Sequence, residues 1–484
     1  MSEPPPGPPS KALTVGIVLG VTVMAFGALA VVTVAPRIPA ELGGLEYYGW
    51  IFSANLLASL VGTVWGGAQA DRHGPGRAFV LGLAVFVLGS ALGALAPSMA
   101  AVIVARALQG LGSGAVVTCI YVVVTLAYPD RARARVMALL SSAWVLPALV
   151  GPAAAGVVAE LASWRWVFAA LVPLASLVAL LSVPSFLGLA GRTAGAPAHH
   201  GARLWHALLL AAAVGAGLWS LTAAAPLVLR LLAAAAALAL APWTLQRLTP
   251  ARTLSLAPGL AAVVAARGLF FAGFVAVEVY LALLLTELLS LSSAVTGLVI
   301  ASGALVWTLG SWAQARLDRV RDEPSGRSRW GDLAQRRERR VLLGVLVLSV
   351  GLALQLVALG VAGPATVPAG KVAAALAVAL CGWLVAGLGI GFAHAGSSVL
   401  AFERAELEGV EPGAVSAALQ LADGVGAAVA TGVGGALLAL LAPSWGLAIG
   451  IGAAYGVGLA AVGLSLLAAW RIGAPSARSS PAVP

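Results

Sequence analysis

Charge is what this sequence has least of. Only 10% of its 484 residues are Asp, Glu, Lys or Arg, against about 25% in a soluble domain, and this excludes an ordinary globular fold. Disorder is excluded more firmly, because 61% of the residues are hydrophobic and the mean hydropathy is +1.00, too much apolar surface to stay solvated. Lysine is nearly missing: Lys11 and Lys371 stand alone among arginines. Cys119 and Cys381, the two cysteines, each lie inside an apolar run without ligand or redox spacing, so neither a disulfide framework nor a cysteine metal site is expected. His199, His200 and His206 lack Cys or carboxylate partners at zinc spacing, so no metal and no cofactor is expected. The proline-rich start, MSEPPPGPPS, has no basic stretch before the first apolar run, which therefore reads as an uncleaved span.

Long apolar runs fill the rest. A run of about 20 residues crosses a hydrocarbon core about 30 Å thick, and fourteen such spans are expected. Six lie at 12–36, 48–69, 78–97, 100–127, 135–160 and 166–190, and two more at 204–223 and 226–244. The last six lie at 258–286, 291–315, 341–362, 370–398, 413–441 and 446–470. The fold class is all-α, polytopic and membrane-embedded. Its parts are a cytoplasmic tail (1–11), a six-helix bundle (12–190), a linker with two extra spans (191–257), a second six-helix bundle (258–470) and a cytoplasmic tail (471–484). The formal charge of +10 is concentrated in short loops, where it sets orientation rather than binding nucleic acid. With both ends cytoplasmic, the inside loops hold Arg72, Arg77, Arg131, Arg133, Arg135, Arg192, Arg203, Arg247 and Arg252, and an arginine-rich loop at 316–340. Outside loops hold little beyond Arg37, Arg165 and Lys371.

Three motifs follow one another in the first six spans. Gly67-Ala-Gln-Ala-Asp71-Arg72-His73-Gly74-Pro75-Gly76-Arg77 is a tight charged turn between spans 2 and 3, with glycines that permit the turn and close helix approach. Arg106, Gln109, Gly110 and Gly114 lie on span 4, where a cation inside the bilayer must face a partner or a wet cavity. Pro147, Gly151, Pro152 and Gly156 lie on span 5 and predict a kinked, closely packed helix. Span 10 ends in Gly310-Ser-Trp-Ala-Gln-Ala-Arg316, an echo of the end of span 2 that fits duplicated halves.

The first motif resembles the G-x-x-x-D-R-x-G-R-R loop of the major facilitator superfamily, with Pro75 and Gly76 in place of middle basic residues. The second is similar to that superfamily's R-x-x-Q-G-x-G pattern, associated with proton coupling in drug–proton antiporters. The third resembles the antiporter motif G-P-x-x-G-G, with Ala155 in place of a glycine, and Ser163-Trp164-Arg165-Trp166 after it also fits. With fourteen spans, the resemblance is to the drug–proton antiporter branch. It implies two six-helix bundles plus two central helices, alternating access, and a protein that is not an enzyme. The cargo implied is an amphipathic or hydrophobic small molecule expelled against protons. The lipid partner is the plasma (inner) membrane, and a monomer is expected. The alternatives are export of a specific lipid or secondary metabolite with other or no proton coupling, and, remotely, a membrane transferase.

One departure shifts weight within the chain. Antiporters of this branch carry an acidic residue in helix 1, and Gly27 stands about there. Asp423 on span 13 and Glu278 on span 9 are lone carboxylates in apolar runs, expected either to carry a proton or to pair with Arg267 or a hydroxyl. Asp423 is the first candidate for proton coupling, Glu278 the second, and Arg106 a cation that sets the cavity's charge. Glu160 is read as interfacial, His394 as a packed histidine, and Glu403, Glu406, Glu408 and Glu411 as a solvated loop.

Overall fold

The computed structural model describes residues 11–188, 200–322, 336–363 and 369–473. The two tails, most of the 191–203 break and most of the arginine-rich loop lie outside the described residues. The described chain is helical apart from short turns, and thirteen of its helices are long and apolar enough to cross a membrane. The expected span 5 falls on a shorter apolar helix, Val145–Leu161, preceded by the helix Asp130–Ser142.

In chain order the helices are α1 (Lys11–Val34), α2 (Arg37–Leu42), α3 (Trp50–His73), α4 (Pro75–Ala94), α5 (Met99–Ala127), α6 (Asp130–Ser142), α7 (Val145–Leu161) and α8 (Arg165–Leu187). They continue as α9 (His200–Thr222), α10 (Leu227–Leu248), α11 (Leu260–Leu283), α12 (Ser293–Asp322), α13 (Arg337–Ala362), α14 (Ala369–Glu408), α15 (Pro412–Trp445) and α16 (Leu447–Arg471). The expected continuous span at 135–160 is corrected to α6 and α7, which break at Ala143-Trp144. Pro147 explains the position, since it cannot donate to the carbonyl of residue 143 and is best accommodated in a helix's first turn.

The chain divides into two units, Met1–Gly215 with Ser292–Ala301, and Ala216–Leu291 with Ser302–Pro484. In the first, α5 packs between α3 and α4, α4 packs on α8, and α1 packs on α7 and α8. Its core holds Ile17, Val21, Phe86 and Ile120, with Phe79 stacked on Phe186 at 3.8 Å. In the second unit, α11 is the most buried span and packs on α14, α15 and α16, while α13 packs on α14 and α16. Helix α10 is exposed or half-exposed along its length, its one buried residue being Thr244.

Small residues set the helix crossings in both units. A Cβ at Gly110 or Gly114 would collide with the α3 carbonyls of Asn55 and Ser59, and one at Gly66 would come within 2.8 Å of the Ala115 Cα. The second unit repeats the device between α12 and α14. A Cβ at Gly310 or Gly387 would lie 2.5 Å from the carbonyl of Leu388 or Gly303. These are the close approaches that lets helices pack in lipid, where apolar burial supplies no drive between them.

Two boundaries correct the sequence reading. Helix α14 runs on to Glu408, so Glu403, Glu406 and Glu408 are helical rather than in a loop. The stretch FERAELE consists of good helix formers, and the turn comes only at Gly409, where φ is +68°. Helix α13 starts at Arg337, which moves Arg337 and Arg340 from the expected loop into a helix.

Candidate functional site

The second unit gathers its polar groups at one place. Arg267, two turns into α11, meets Asp423 of α15 in a forked ion pair: Nε donates at 3.1 Å to Oδ1 and 3.0 Å to Oδ2, and Nη2 at 2.9 Å to Oδ2. The helices can come this close because Gly268 and Gly426 face each other across the crossing, a Cβ on Gly426 falling 2.5 Å from the Gly268 carbonyl. Two side chains of α14 complete the cluster. Nη1 donates to Ser398 Oγ at 2.5 Å, and Nη2 lies 2.8 Å from His394 Nε2. His394 Nε2 is also 3.6 Å from Asp423 Oδ2. Phe271 and Trp307 flank the imidazole at centroid distances of 5.8 and 5.3 Å. A carboxylate inside hydrocarbon needs such a partner, and Asp423 has it, whereas the sequence left open whether it pairs.

Glu278 behaves differently. It lies on the same face of α11 as Phe271 and Val275, and all three are half-buried. Arg267 is eleven residues away, roughly 16 Å along the helix. Among the described residues Glu278 has no hydrogen-bonding or ionic partner.

Arg106, in the first unit, is 2% exposed and binds neutral acceptors. Nε donates to the Ile51 carbonyl at 3.0 Å, and Nη1 to the Gly27 carbonyl at 3.4 Å and to Gln109 Oε1 at 2.8 Å. Gln109 in turn donates to Ser90 Oγ at 3.0 Å. The cation is therefore solvated by α1, α3 and its own helix without a carboxylate among these partners.

In the turn between α3 and α4, Gly74 has φ +81° and Pro75 opens α4. Asp71 is half-buried, and Arg72 and Arg77 are exposed. A Cβ at Gly76 would press on the Phe186 carbonyl at 2.6 Å, whereas one at Gly67 would meet the Thr118 methyl at an ordinary 3.6 Å. On α7, Gly151 faces Phe26, while Gly156 and Pro152 meet the first turns of α12 at Ser293 and Gly297.

Two charged clusters were not legible as clusters in the sequence. Arg37 donates to Ser293 Oγ at 2.6 Å and to the Ala159 carbonyl at 2.7 Å, and Glu160 accepts from the Ala294 N–H at 3.4 Å. Beside them Glu41 pairs with Arg165 and accepts from Trp164 Nε1 at 2.7 Å. Those hydrogen bonds hold the Glu41 carboxyl below its ordinary value. In the second unit, fully buried Arg340 pairs with Asp318 at 2.7 Å, and Arg337 bridges Asp318 and Glu403.

The profile described as "Major Facilitator Superfamily" matches residues 17–431. The chain belongs to that superfamily. A probable multidrug-efflux transporter of Mycobacterium tuberculosis is 33% identical over 210 residues, covering 42% of this chain and 44% of the relative. Multidrug resistance protein 3 of Bacillus subtilis is 29% identical over 168 residues, covering 35% and 33%. The chain thus matches less than half the length of either. A crystal structure of a peptide transporter, POT, in complex with sulfate superimposes with a TM-score of 0.67 at 17% identity, covering 96% of this chain and 95% of that one. The superfamily fold therefore extends over essentially the whole chain.

Proposed function

We propose that the protein is a secondary active transporter that expels amphipathic or hydrophobic small molecules in exchange for protons, by alternating access of its two bundles. The observation that carries this reading is the Arg267–Asp423 pair, a membrane-embedded carboxylate in a superfamily member related to multidrug-efflux proteins. A carboxylate that trades a cation for a proton changes the charge of its site by one unit, which is what couples a gradient to a conformational change.

Asp423 is the main proton-coupling group and Glu278 the second, while Arg106 sets the charge of the first bundle. Gly67, Asp71, Arg72, Gly74 and Arg77 form the cytoplasmic gate. Pro147, Gly151, Pro152 and Gly156 give the bent helix on which the closed state packs. The protein sits as a monomer in the inner membrane, with both termini cytoplasmic. Purified protein in proteoliposomes under an imposed pH gradient, offered a panel of amphipathic dyes, tests the reading. Dye movement that follows the sign of the gradient supports it, and dye movement indifferent to the gradient contradicts it.

A further inference from the structure

The Arg267 Nη2 group has two N–H bonds and two neighbours, His394 Nε2 at 2.8 Å and Asp423 Oδ2 at 2.9 Å. Arginine only donates, so His394 must present a bare Nε2 to it, and a neutral ring then carries its proton on Nδ1. The same Nε2 lies 3.6 Å from Asp423 Oδ2. The imidazole therefore sits beside both members of the pair and, while neutral, serves the arginine.

Accessibility falls in order across the cluster. The side chain of His394 is 25% exposed, that of Asp423 14% and that of Arg267 9%. The histidine is the most exposed of the three. Aromatic rings pack around it, Phe271 and Trp307 with centroids 5.8 and 5.3 Å away and Phe270 at 6.5 Å. Arg267 from α11 and Asp423 from α15 are the charged groups that face it. From its own helix comes Ser398, whose hydroxyl donates to the His394 carbonyl at 2.9 Å while accepting from Arg267.

We infer that His394 is the group through which the proton reaches Asp423, and that its protonation exchanges the partners of the pair. The inference rests on the reading of Asp423 as the coupling carboxylate. A proton arriving at Nε2 forms an N–H bond and ends the hydrogen bond from Nη2. The imidazolium then donates to Oδ2, in competition with Arg267. When the Nε2–H bond breaks as Oδ2–H forms, the ring returns to neutrality and Asp423 is left as the acid. The cluster goes from net charge zero to +1 at the first step and stays there at the second. Arg267, still tethered by Ser398, is left without its counter-ion, and that is the strained state a bundle movement relieves.

The test is nitrogen NMR of full-length protein carrying ¹⁵N-histidine in nanodiscs, with His394→Gln assigning the signal. It needs no cargo. The expected result is a neutral ring protonated on Nδ1 that becomes doubly protonated on acidification, with a midpoint displaced by at least about one pH unit in Asp423→Asn. A neutral ring protonated on Nε2, or a midpoint indifferent to Asp423→Asn, overturns the inference. A transport arm separates it from the reading beneath it. Glutamine keeps an acceptor for Arg267 but takes no proton, so His394→Gln should lower gradient-driven ethidium movement about tenfold and flatten its pH profile. If Asp423→Asn abolishes gradient-driven movement and His394→Gln keeps the wild-type profile, the histidine route is wrong and the coupling reading stands. If Asp423→Asn keeps it, the coupling reading itself falls.

Discussion

Arg106 donates from Nη1 to the backbone carbonyl of Gly27, which stands about where the antiporters this sequence resembles carry an acid. The cation is held by carbonyl and amide dipoles rather than by a charge. Lysine at that position is a point charge on a flexible stem and cannot reach Ile51, Gly27 and Gln109 together. Arg106→Lys is expected to lower stability by about 2 kcal/mol, since a hydrogen bond from a charged group contributes about 1.5–3 kcal/mol and at least one is lost. Unfolding in mixed micelles with increasing denaturing detergent measures it. Unchanged stability would mean the dipoles are not what holds the charge.

The glycines of the first unit are not equivalent. Gly110→Ala drives a methyl into the Asn55 carbonyl, whereas Gly67→Ala meets only the Thr118 methyl at 3.6 Å. The first is expected to cost about 1–3 kcal/mol by overpacking, the second well under 1 kcal/mol. Thermal melts followed by size-exclusion chromatography distinguish them, and equal losses would contradict the close α3–α5 crossing.

How much of this was legible in the sequence depended on range. Gly110 and Gly114, four apart on an apolar span, announced a helix crossing because such spacing puts both on one face. The break at Ala143 followed from Pro147 in kind, if not in extent. Arg267 was named as one possible partner of Asp423 or Glu278, but which carboxylate it pairs with was not legible, since it lies 156 positions from Asp423 and no local pattern records which helices cross. His394 read as packing for the same reason: its neighbours come from α11, α12 and α15. Arg340 read as a loop cation because a helix that begins in arginines looks like a loop until its ion pair with Asp318 is seen.

Glu41 gives a pH dependence of known sign. Its carboxyl is held below the ordinary value of 4.5, first by the hydrogen bond from Arg165 and then by that from Trp164. A group depressed in the folded state stabilises above its unfolded value, and the contribution fades as pH falls through the folded one. Half-exposed as it is, the pair contributes less than about 1 kcal/mol after solvent screening. Glu41→Gln should lower stability slightly at pH 7 and converge with the parent protein once pH has fallen through the lowered folded-state value of the carboxyl. Melting curves across pH check this, and a difference that grows on acidification would contradict it.

The arginine-rich segment between α12 and α13 is expected on the cytoplasmic side, by the excess of cations in inside loops. Ser325→Cys or Ser328→Cys should resist an impermeant maleimide added to intact cells and react after permeabilisation. Labelling from outside would overturn the fourteen-span topology or its orientation.

The most direct measurement is gradient-driven ethidium movement into inverted membrane vesicles for the parent protein and Asp423→Asn, at matched expression, with proton flux recorded in the same vesicles. If Asp423 couples the proton, the parent accumulates dye while discharging the pH gradient. The variant should lose at least about 90% of both, tenfold or about 1.4 kcal/mol in driving the coupled step, while still equilibrating dye without a gradient. Full gradient-driven accumulation by Asp423→Asn, with dye-linked proton flux intact, would contradict it.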